Sequence, residues 1–337
     1  MKKVSAIIVN WNGKDVLLDC LESLARQDYP GLQIIVSDNG STDGSLEAAR
    51  SRYPEVRLLQ NNANLGFGPA VNRGLARAAG DYFLFLNNDL YLQPDSIRRL
   101  AETLDADSQT GAVVPKILYY EKRGIINSFG VQVNYTGICY PHLIDCKDSD
   151  ALQCLETACG GIFMFKRQVY ETVGGFDEDL FLYHEDHDLS WRIRLAGWKI
   201  MTAPAAVIYH HYHFHKGNFK YYSSEKNRLH LLLKNLECKT LLLAAPALAL
   251  VEAAQLAHAL MHGWFAQKVK SYFEILALLP RIRKKRREIQ SRRKVDDSEI
   301  VRLYQGELQV SGMKNPLLTH VLSPALNCYW RTIKRWI

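Results

Sequence analysis

The sequence lacks the patterns that would assign it directly to several common classes of protein. No Gly-x-Gly-x-x-Gly follows the first apolar run and no Gly-x-x-x-x-Gly-Lys-Ser/Thr occurs, so neither a dinucleotide-binding Rossmann site nor a P-loop is supported. The seven cysteines form no Cys-x-x-Cys pair, and their odd number and scattered positions indicate reduced thiols in a cytoplasmic compartment. The spacing of Cys139, His142, Cys146 and Cys154 matches no zinc-ligand pattern. The N-terminus carries no signal-peptide pattern, which also favours the cytoplasm.

The composition is that of a folded protein with a large core. The chain has 337 residues, of which 47% are hydrophobic and 23% charged, a length that suits one large domain with an extension. Short apolar runs predict buried strands at Val4–Val9, Leu32–Val36, Val56–Leu59 and Tyr82–Leu86. Helical patterns lie between them at Val16–Arg26, Leu46–Arg52 and Pro69–Ala79. This alternation predicts an α/β fold with a doubly wound, mostly parallel sheet flanked by helices.

A short polar loop follows each predicted strand, at the edge where ligands bind in sheets of this kind. These loops are Asn10-Trp11-Asn12-Gly13, Asp38-Asn39-Gly40-Ser41-Thr42-Asp43, Asn61-Asn62-Ala63-Asn64-Leu65-Gly66-Phe67 and Asn87-Asn88-Asp89. The carboxylate of Asp38 suits a hydrogen bond from a nucleobase N–H. Asp89 ends the fourth strand, where a carboxylate can hold a divalent cation that neutralises a diphosphate.

A second group of acidic residues precedes a predicted helix at Leu189–Leu195. Glu185, Asp186 and Asp188 are crowded enough to raise the pKa of at least one carboxyl, which suits a general base for an acceptor hydroxyl. The alternative is that their negative charges stabilise the N-terminus of the helix through its dipole. For Asp188, this is the only role that we assign. A zinc-protease motif is excluded, because the segment 184–187 is one residue short of His-Glu-x-x-His.

Histidines follow an apolar run at Ala205–Tyr209, and the first of them is the best candidate for a ligand. A neutral imidazole there can complete the coordination of a metal or contact a diphosphate. We therefore select His210 from the group that also contains His211, His213 and His215.

The C-terminal third combines apolar and basic segments. Residues 241–264 are apolar over a length that can span a bilayer, but polar residues recur along one helical stripe at Glu252, Gln255, His258 and His262. A helix that lies in the membrane interface or packs on the protein is therefore favoured over a span. A basic block at residues 281–294, with nine basic residues and one acid, predicts an anionic membrane surface as partner. Nucleic acid and a solvated helix face are the alternatives.

Taken together and in order, the loop motifs resemble those of family 2 inverting glycosyltransferases with the GT-A fold. The resemblance also includes Gly174-Gly175-Phe176-Asp177-Glu178 and Glu185-Asp186-His187-Asp188-Leu189, and it covers roughly residues 3–230. Within the family, the chain looks like the rhamnosyltransferase-type branch of bacterial surface polysaccharide synthesis. We accordingly predict a glycosyltransferase domain at 1–230, with a donor half at about 1–115 and an acceptor half at about 116–230. A helical, membrane-associating basic extension at 231–337 follows.

The resemblance implies a role for each matching residue. Asp186 becomes the catalytic base with Glu185 beside it, and Asp89 and His210 become the contacts of a divalent cation, Mg²⁺ or Mn²⁺. Asn87 stands where the family's D-x-D motif has its first acid. The implied donor-nucleotide contacts are Val9, Asn10, Asn12, Asp38, Asn39, Asn64, Gly66, Asn72 and Asn88.

The resulting functional prediction is inverting transfer of a single sugar from a nucleoside-diphosphate sugar, such as dTDP-rhamnose or a UDP-sugar. The acceptor is a hydroxyl of a glycan or of a polyprenyl-linked sugar, and the enzyme is expected to lie on the cytoplasmic face of the inner membrane. No nucleic-acid partner is expected. The alternatives are a non-catalytic nucleotide-sugar-binding scaffold at a membrane and a nucleotidyltransferase, which the absence of a Gly-rich phosphate loop disfavours.

Overall fold

A computed structural model describes residues 2–212, 218–308 and 316–337 of the chain. The strands are β1 (Val4–Asn10), β2 (Leu32–Asp38), β3 (Arg57–Gln60), β4 (Tyr82–Asn87), β5 (Leu90–Leu92), β6 (Thr110–Tyr119), β7 (Ile126–Ser128), β8 (Val131–Val133), β9 (Cys139–Pro141), β10 (Met164–Lys166) and β11 (Lys199–His210). The helices are α1 (Lys14–Ala25), α2 (Ser45–Arg52), α3 (Phe67–Leu75), α4 (Ser96–Asp105), α5 (Arg167–Val173), α6 (Glu185–Leu195), α7 (Asn218–Asn235), α8 (Cys238–Met261), α9 (Phe265–Arg292), α10 (Asp297–Val301) and α11 (Ser323–Ile333). A π-helical turn, Leu318–Leu322, precedes α11, and a 3₁₀ turn, Lys334–Trp336, follows it.

One mixed sheet organises the first two thirds of the chain. Its strand order is β3-β2-β1-β4-β10-β6-β11-β5, and β7 pairs with β6. The first four strands in this order run parallel to one another, whereas β10 is antiparallel to both of its neighbours. The parallel half matches the predicted βαβ arrangement, and the carboxyl ends of β1, β2 and β4 lie at the same edge.

Both faces of the sheet are covered, which explains why its strands are continuous apolar runs. Along β1, Val4, Ala6 and Ile8 pack into a core shared with α1 and α4. Ile7 points into the opposite core, which contains residues of α3 and α6. Because successive side chains of a strand alternate between faces, a strand buried on both sides must be apolar throughout.

The C-terminal helices form a third core against the sheet domain. Trp191 of α6 packs there with Leu231 of α7, Val251 of α8 and Trp330 of α11, and all four are buried. The predicted boundary at residue 230 therefore falls within α7, a helix that contributes to this shared core.

Three sequence predictions of local structure were wrong in their bounds. The helix predicted at Pro69–Ala79 is α3, which spans Phe67–Leu75. The helix predicted from Leu189 begins four residues earlier, at Glu185, so the acidic residues form its first turn and do not precede it. The apolar run Ala205–Tyr209 is part of a longer strand, β11, which begins at Lys199 and whose pairing with β6 shifts register between Ala203 and Val207. The shift lets the strand continue through this run.

One helix in the described part of the chain, α8, is long and apolar enough to cross a membrane by length and composition. The polar stripe predicted along it faces other helices of the protein at two of its positions. Glu252 pairs with Arg228 of α7 and with Lys268 of α9, and Gln255 donates to Glu225 at 2.8 Å. These partners neutralise the Glu252 carboxylate, whose charge would otherwise disfavour burial of this face of α8.

Candidate functional site

The polar loops after β1, β2 and β4 meet at one edge of the sheet. In the strand register, Asn10 lies opposite Asp38 and Val9 lies opposite Asn87. The Asn10 Nδ2 donates to Asp38 Oδ1 at 2.8 Å, and Asn88 Nδ2 donates to Asn10 Oδ1 at 2.7 Å. Asn10 therefore links three loops, and these predicted donor contacts are brought together as the sequence indicated.

Asp38 is the centre of a closed hydrogen-bond arrangement in its own loop. Its Oδ2 accepts from the backbone N–H groups of Gly40 and Ser41, and its Oδ1 accepts from Asn10 and from the Ser41 hydroxyl. The residue is 1% exposed. Asp38 thus shapes this loop, and the role of nucleobase reader stays a prediction.

Asn12 holds the same loop from the other side. It has a positive φ of 47°, its backbone N–H donates to Ser41 Oγ, and its Oδ1 accepts from the Thr42 backbone N–H at 2.8 Å. Next to it, the indole of Trp11 is 56% exposed at the carboxyl end of β1. Sequence reasoning did not select Trp11, although an exposed aromatic ring beside polar loops is the usual signal of a stacking surface for a base or a sugar.

The loop before α3 is joined to the chain segment that leads into α6. Asn64 Oδ1 accepts from the Gly66 backbone N–H, and Asn39 Nδ2 donates to the Gly66 carbonyl at 3.0 Å. Gly66 has a φ of +87°, and an added Cβ would lie 2.2 Å from the carbonyl oxygen of Phe181. Only glycine allows this approach, so Asn39, Asn64 and Gly66 fix the position of the segment before α6.

Asn72 has a structural partner that the sequence did not reveal. Its Oδ1 accepts from the Phe176 backbone N–H at 2.8 Å, and its Nδ2 donates to the Phe176 carbonyl at 2.9 Å. This paired contact ties α3 to the loop that follows Gly174 and Gly175. The predicted contact of Asn72 with a donor nucleotide stays a prediction.

Asp89 and His210 are neighbours, as the metal prediction requires. The His210 Nε2 lies 3.3 Å from Asp89 Oδ2, and the His210 Nδ1 lies 2.9 Å from Asn127 Oδ1. With Nδ1–H donating to Asn127, the lone pair of Nε2 faces the carboxylate, the usual arrangement of a metal-binding imidazole. Asp89 Oδ1 is buried and has no hydrogen-bond partner among the described residues, so this donor set fits a divalent cation. His213 and His215 lie outside the described residues.

The predicted catalytic acids form the first turn of α6, directly after a strained backbone segment. Tyr183 and His184 both have positive φ values, 69° and 66°, which are uncommon for bulky residues. Burial raises the pKa of Asp186 to about 6, and burial together with the Asp186 charge raises the pKa of Glu185 to about 8. At neutral pH, Asp186 is therefore mainly ionised and Glu185 mainly protonated. Glu185 Oε2 is buried without a partner in the described chain.

Strand β10 shows that Asp186 lies at the same sheet edge as Asp89. Met164 of β10 lies opposite Leu84 of β4 in an antiparallel pair, so the residues before β10 extend toward the carboxyl end of β4. Gly161 is in this segment, and a Cβ added there would lie 3.7 Å from Asp186 Oδ2. Asp186 and Asp89 are thus both placed at the carboxyl end of β4.

Asp188, two residues after Asp186, has a different environment. Its carboxylate bonds to Arg192 Nε at 2.9 Å, to Lys234 Nζ at 2.7 Å and to Asn235 Nδ2 at 2.9 Å. Burial acts to raise its pKa, but the charges of Lys234 and Arg192 outweigh burial and lower the pKa to about 2. Asp188 is therefore a structural anion that joins α6 to α7.

Part of the predicted basic block is also bound within the protein. Lys285 of α9 contacts both Asp177 and Asp179, in the second case at 2.7 Å, and Arg286 donates to backbone carbonyls at the end of α7. The exposed basic residues of the block are Arg281, Arg283, Lys284, Arg287, Arg292 and Lys294. One side of this segment is a packing surface, and the other side carries a cluster of exposed positive charge.

Comparison with known proteins gives consistent matches. Residues 5–174 match the family described as Glycosyl transferase family 2, and residues 148–216 match the N-terminal domain of galactosyltransferase. The chain is 33% identical over 215 residues to N-acetylglucosaminyl-diphospho-decaprenol L-rhamnosyltransferase of Mycobacterium tuberculosis. That match covers 57% of this chain and 70% of the relative.

Two solved structures share the fold. The mannosyltransferase PcManGT of Pyrobaculum calidifontis, in complex with GDP-Man and Mn²⁺, matches with a TM-score of 0.53 at 18% identity, covering 82% of this chain and 87% of that one. GalNAc-T7 with UDP, GalNAc and Mn²⁺ matches with a TM-score of 0.57 at 17% identity, covering 69% of this chain. The chain spans about half, 48%, of the GalNAc-T7 chain.

Proposed function

Because this chain belongs to glycosyl transferase family 2, we propose that it transfers one sugar from a nucleoside-diphosphate sugar to an acceptor hydroxyl with inversion at the anomeric carbon. The observation that carries the proposal is the environment of Asp186. Its pKa is raised to about 6 by burial, it has no cationic partner among the described residues, and it lies at the sheet edge that carries Asp89. A carboxylate with these properties is a suitable general base near neutral pH.

In the proposed reaction, Asp186 takes the proton of the acceptor hydroxyl while the oxygen attacks the anomeric carbon. The bond to the nucleoside diphosphate breaks on the opposite face, so a single displacement inverts the configuration. Glu185, protonated at neutral pH, keeps a second negative charge away from Asp186. The loops of Asn10, Asp38 and Asn88 form the wall against which the nucleotide would lie.

Asp89 and His210 would hold the divalent cation, Mg²⁺ or Mn²⁺. Support comes from the unpartnered Asp89 Oδ1 and from the Mn²⁺ in the GalNAc-T7 and mannosyltransferase structures. When bound, such a cation stabilises the negative charge of the departing diphosphate. Asn87 replaces a carboxylate that could contribute to the site, so we expect the cation to depend on the nucleotide's phosphate oxygens for much of its affinity.

The proposed donor and acceptor follow from the relative of M. tuberculosis. Its name describes transfer of L-rhamnose to N-acetylglucosaminyl-diphospho-decaprenol, so dTDP-rhamnose and a polyprenyl-diphosphate-linked sugar are the first pair to test. A UDP-sugar is the second donor class. Asp186 has no cationic partner and Glu185 Oε2 has no hydrogen-bond partner among the described residues, whereas the structural carboxylate of Asp188 is paired with Lys234. This difference favours catalysis over a non-catalytic scaffold.

A substrate panel tests this proposal. The purified protein is incubated with dTDP-rhamnose, UDP-sugars and GDP-mannose, each with a polyprenyl-diphosphate-linked acceptor and Mg²⁺ or Mn²⁺, and nucleoside diphosphate release is followed. We expect release with one donor class, dependence on both acceptor and cation, and a product of inverted anomeric configuration. A product of retained configuration, or nucleoside triphosphate consumption in place of nucleoside diphosphate release, would contradict the proposal.

The exposed side of α8 and α9 supports attachment to an anionic membrane surface. Large apolar side chains are exposed on both helices, among them Leu242, Leu260, Phe273 and Leu276, which are 60–75% exposed. Five of the six exposed basic residues of the 281–294 block follow on the same helix α9, and Lys294 lies just beyond its end. Apolar burial and attraction to anionic lipid act together at a bilayer surface, and this attachment would place the site at the cytoplasmic face of the inner membrane beside a lipid-linked acceptor.

Flotation with vesicles tests the attachment. We expect the protein to float with phosphatidylglycerol-containing vesicles and much less with neutral vesicles, and to shift neither DNA nor RNA in a gel. The double variant Phe273→Ser/Leu276→Ser should lose flotation while keeping its fold. Binding to nucleic acid with no binding to vesicles would show that the basic residues serve another partner.

A further inference from the structure

A cysteine and two histidines come together beside the proposed base, in a cluster that shares no residue with the Asp89–His210 pair. Cys139 is on β9, His184 precedes α6, and His187 is in the first turn of α6. One ligand atom from each, the Sγ and one ring nitrogen of each histidine, lie within 4.8 Å of one another. Sulfur and imidazole nitrogen are the ligands that Zn²⁺ prefers, whereas Mg²⁺ takes oxygen ligands.

His187 is the strongest evidence that the cluster holds a ligand. Its side chain is 1% exposed, and neither ring nitrogen has a hydrogen-bond partner in the described chain. Its ring stacks on Trp191 at 5.4 Å between centroids, which fixes its orientation but satisfies neither nitrogen. Buried polar groups in native proteins are almost always paired, so an imidazole in this state requires a partner other than the described protein atoms.

His184 has the hydrogen bond typical of a metal-binding histidine. Its Nε2 lies 3.2 Å from the Ser224 hydroxyl, and its Nδ1 lies 3.8 Å from Cys139 Sγ. When Nε2–H donates to Ser224, the lone pair of Nδ1 faces the sulfur, so an outer hydrogen bond fixes the tautomer as it does for metal ligands. Tetrahedral zinc with ordinary bond lengths places a sulfur and a nitrogen ligand about 3.6 Å apart, close to the observed separation.

We propose that Cys139, His184 and His187 bind one Zn²⁺, which joins the β9 hairpin to the turn that carries Glu185 and Asp186. Binding converts the Cys139 thiol to a thiolate and releases its proton to solvent. Three protein ligands leave one coordination position for water. The ion would hold the strained backbone at Tyr183 and His184 in place, so its role is to position the turn and not to contact the donor diphosphate.

Cobalt titration of the full-length protein tests the site directly. After chelator treatment and dialysis, Co²⁺ is added as a spectroscopic substitute for Zn²⁺ in the presence of excess Mg²⁺, which occupies oxygen-ligand sites. We expect one equivalent to produce a thiolate-to-cobalt charge-transfer absorption that Zn²⁺ abolishes. Cys139→Ser should lose this absorption and bind Zn²⁺ more weakly, because it removes the thiolate ligand. Cys154→Ser, which changes an exposed thiol outside the cluster, should match the unchanged protein.

A second measurement covers the case in which a variant folds poorly. We expect chelation to lower the Tm of the unchanged protein and of Asp89→Asn, but not the Tm of His187→Phe, which keeps a buried ring and removes the ligand. The proposal is overturned if the unchanged protein gives no thiolate absorption with Co²⁺, or if Cys139→Ser retains it. Neither readout depends on sugar transfer, so their failure would leave the proposed glycosyltransferase function intact.

Discussion

The loops of the donor half and the first turn of α6 meet at one edge of the sheet, yet they differ in whether their buried polar groups are hydrogen-bonded. After β1 and β2, Asn10 and Asp38 bond to each other and to neighbouring loop atoms. In the first turn of α6, Glu185 Oε2 and both ring nitrogens of His187 are buried without partners in the described chain. The polar groups of the first region are satisfied by one another, whereas the second region holds buried groups that a substrate or an ion would satisfy.

The same contrast occurs within one helical turn. Asp186 has its pKa raised to about 6 by burial, whereas the pKa of Asp188 is lowered to about 2 because Lys234 and Arg192 outweigh burial. Two aspartates that lie two residues apart thus have different roles, because their neighbours shift the two pKa values in opposite directions. We expect substitutions of the first to affect the reaction and substitutions of the second to affect stability.

The largest expected effect is that of Asp186→Asn. The amide cannot accept a proton, so we expect kcat to fall by about 10²–10⁴-fold, the usual contribution of a general base. The Tm should stay the same or rise, because a buried charge without a cationic partner is removed. Nucleoside diphosphate release and thermal unfolding are measured on the same preparation. Loss of activity together with a large fall in Tm would show that Asp186 belongs to the framework.

Asp188→Asn reverses this pattern. The variant leaves Lys234, which is 1% exposed, with one carboxylate fewer, and breaking a buried pair typically destabilises by about 3–5 kcal/mol. We expect a clear fall in the free energy of unfolding, measured in urea, with near-normal kcat for the remaining folded fraction. A stable but inactive Asp188→Asn protein would remove the distinction between the two acids.

The pH dependence of transfer sharpens the comparison. The proposed base must be ionised, and its pKa is about 6, so we expect kcat/KM to fall about tenfold per pH unit below pH 6 and to level off above it. A profile that stays flat down to pH 4 would indicate a base with an ordinary carboxyl pKa. The measurement uses saturating cation and a buffer series of constant ionic strength.

Glu185→Gln should act on stability in a pH-dependent way. The folded-state pKa of about 8 lies above the ordinary value of 4.5, so the carboxyl destabilises the fold increasingly as pH rises from 4.5 to 8. The neutral amide removes this cost, and we expect the variant to gain about 1–3 kcal/mol of stability above pH 8 and nothing near pH 4. Its activity at pH 7 should change by less than about tenfold, because Glu185 is already protonated there. Equal stability gains at both pH values would contradict this account.

Asn72→Ala gives the smallest expected effect and tests the framework region. Loss of both bonds to Phe176 leaves two backbone groups without their partner, and we expect destabilisation of about 1–2 kcal/mol. If Asn72 is structural, KM for the donor should change little. A large rise in donor KM at unchanged stability would instead support the donor contact implied by the sequence.

The sequence predicted the parallel half of the sheet and its ligand-binding edge because both depend on local patterns. Apolar runs followed by polar loops at β1, β2 and β4 identify strands and their ends without knowledge of distant contacts. The same reasoning paired Asp89, just after β4, with His210, at the end of β11, and the structure places the two side chains 3.3 Å apart.

Other features depend on contacts between distant segments and could not be read from the sequence. Nothing local indicates that Asn72 bonds to Phe176, or that Lys285 of the basic block faces Asp177. The start of α6 was missed for a related reason, because a crowded acidic run favours a loop until burial and packing of the helix outweigh that preference. Cys139 and His184 are 45 positions apart in the sequence, so their contact leaves no metal-ligand motif that a sequence search would recognise.

The buried ion pairs of Lys234 affect how the protein unfolds. Lys234 contacts Asp188 in α6 and Asp177 in the preceding loop, and Asp177 in turn contacts Lys285 of α9. These charges are shared, so separation of the C-terminal helices from the sheet strands would leave Asp177 without either lysine and Asp188 with Arg192 alone. The free-energy penalty makes the two parts interdependent in folding, and heating should produce a single cooperative transition in which the helices and the sheet melt together.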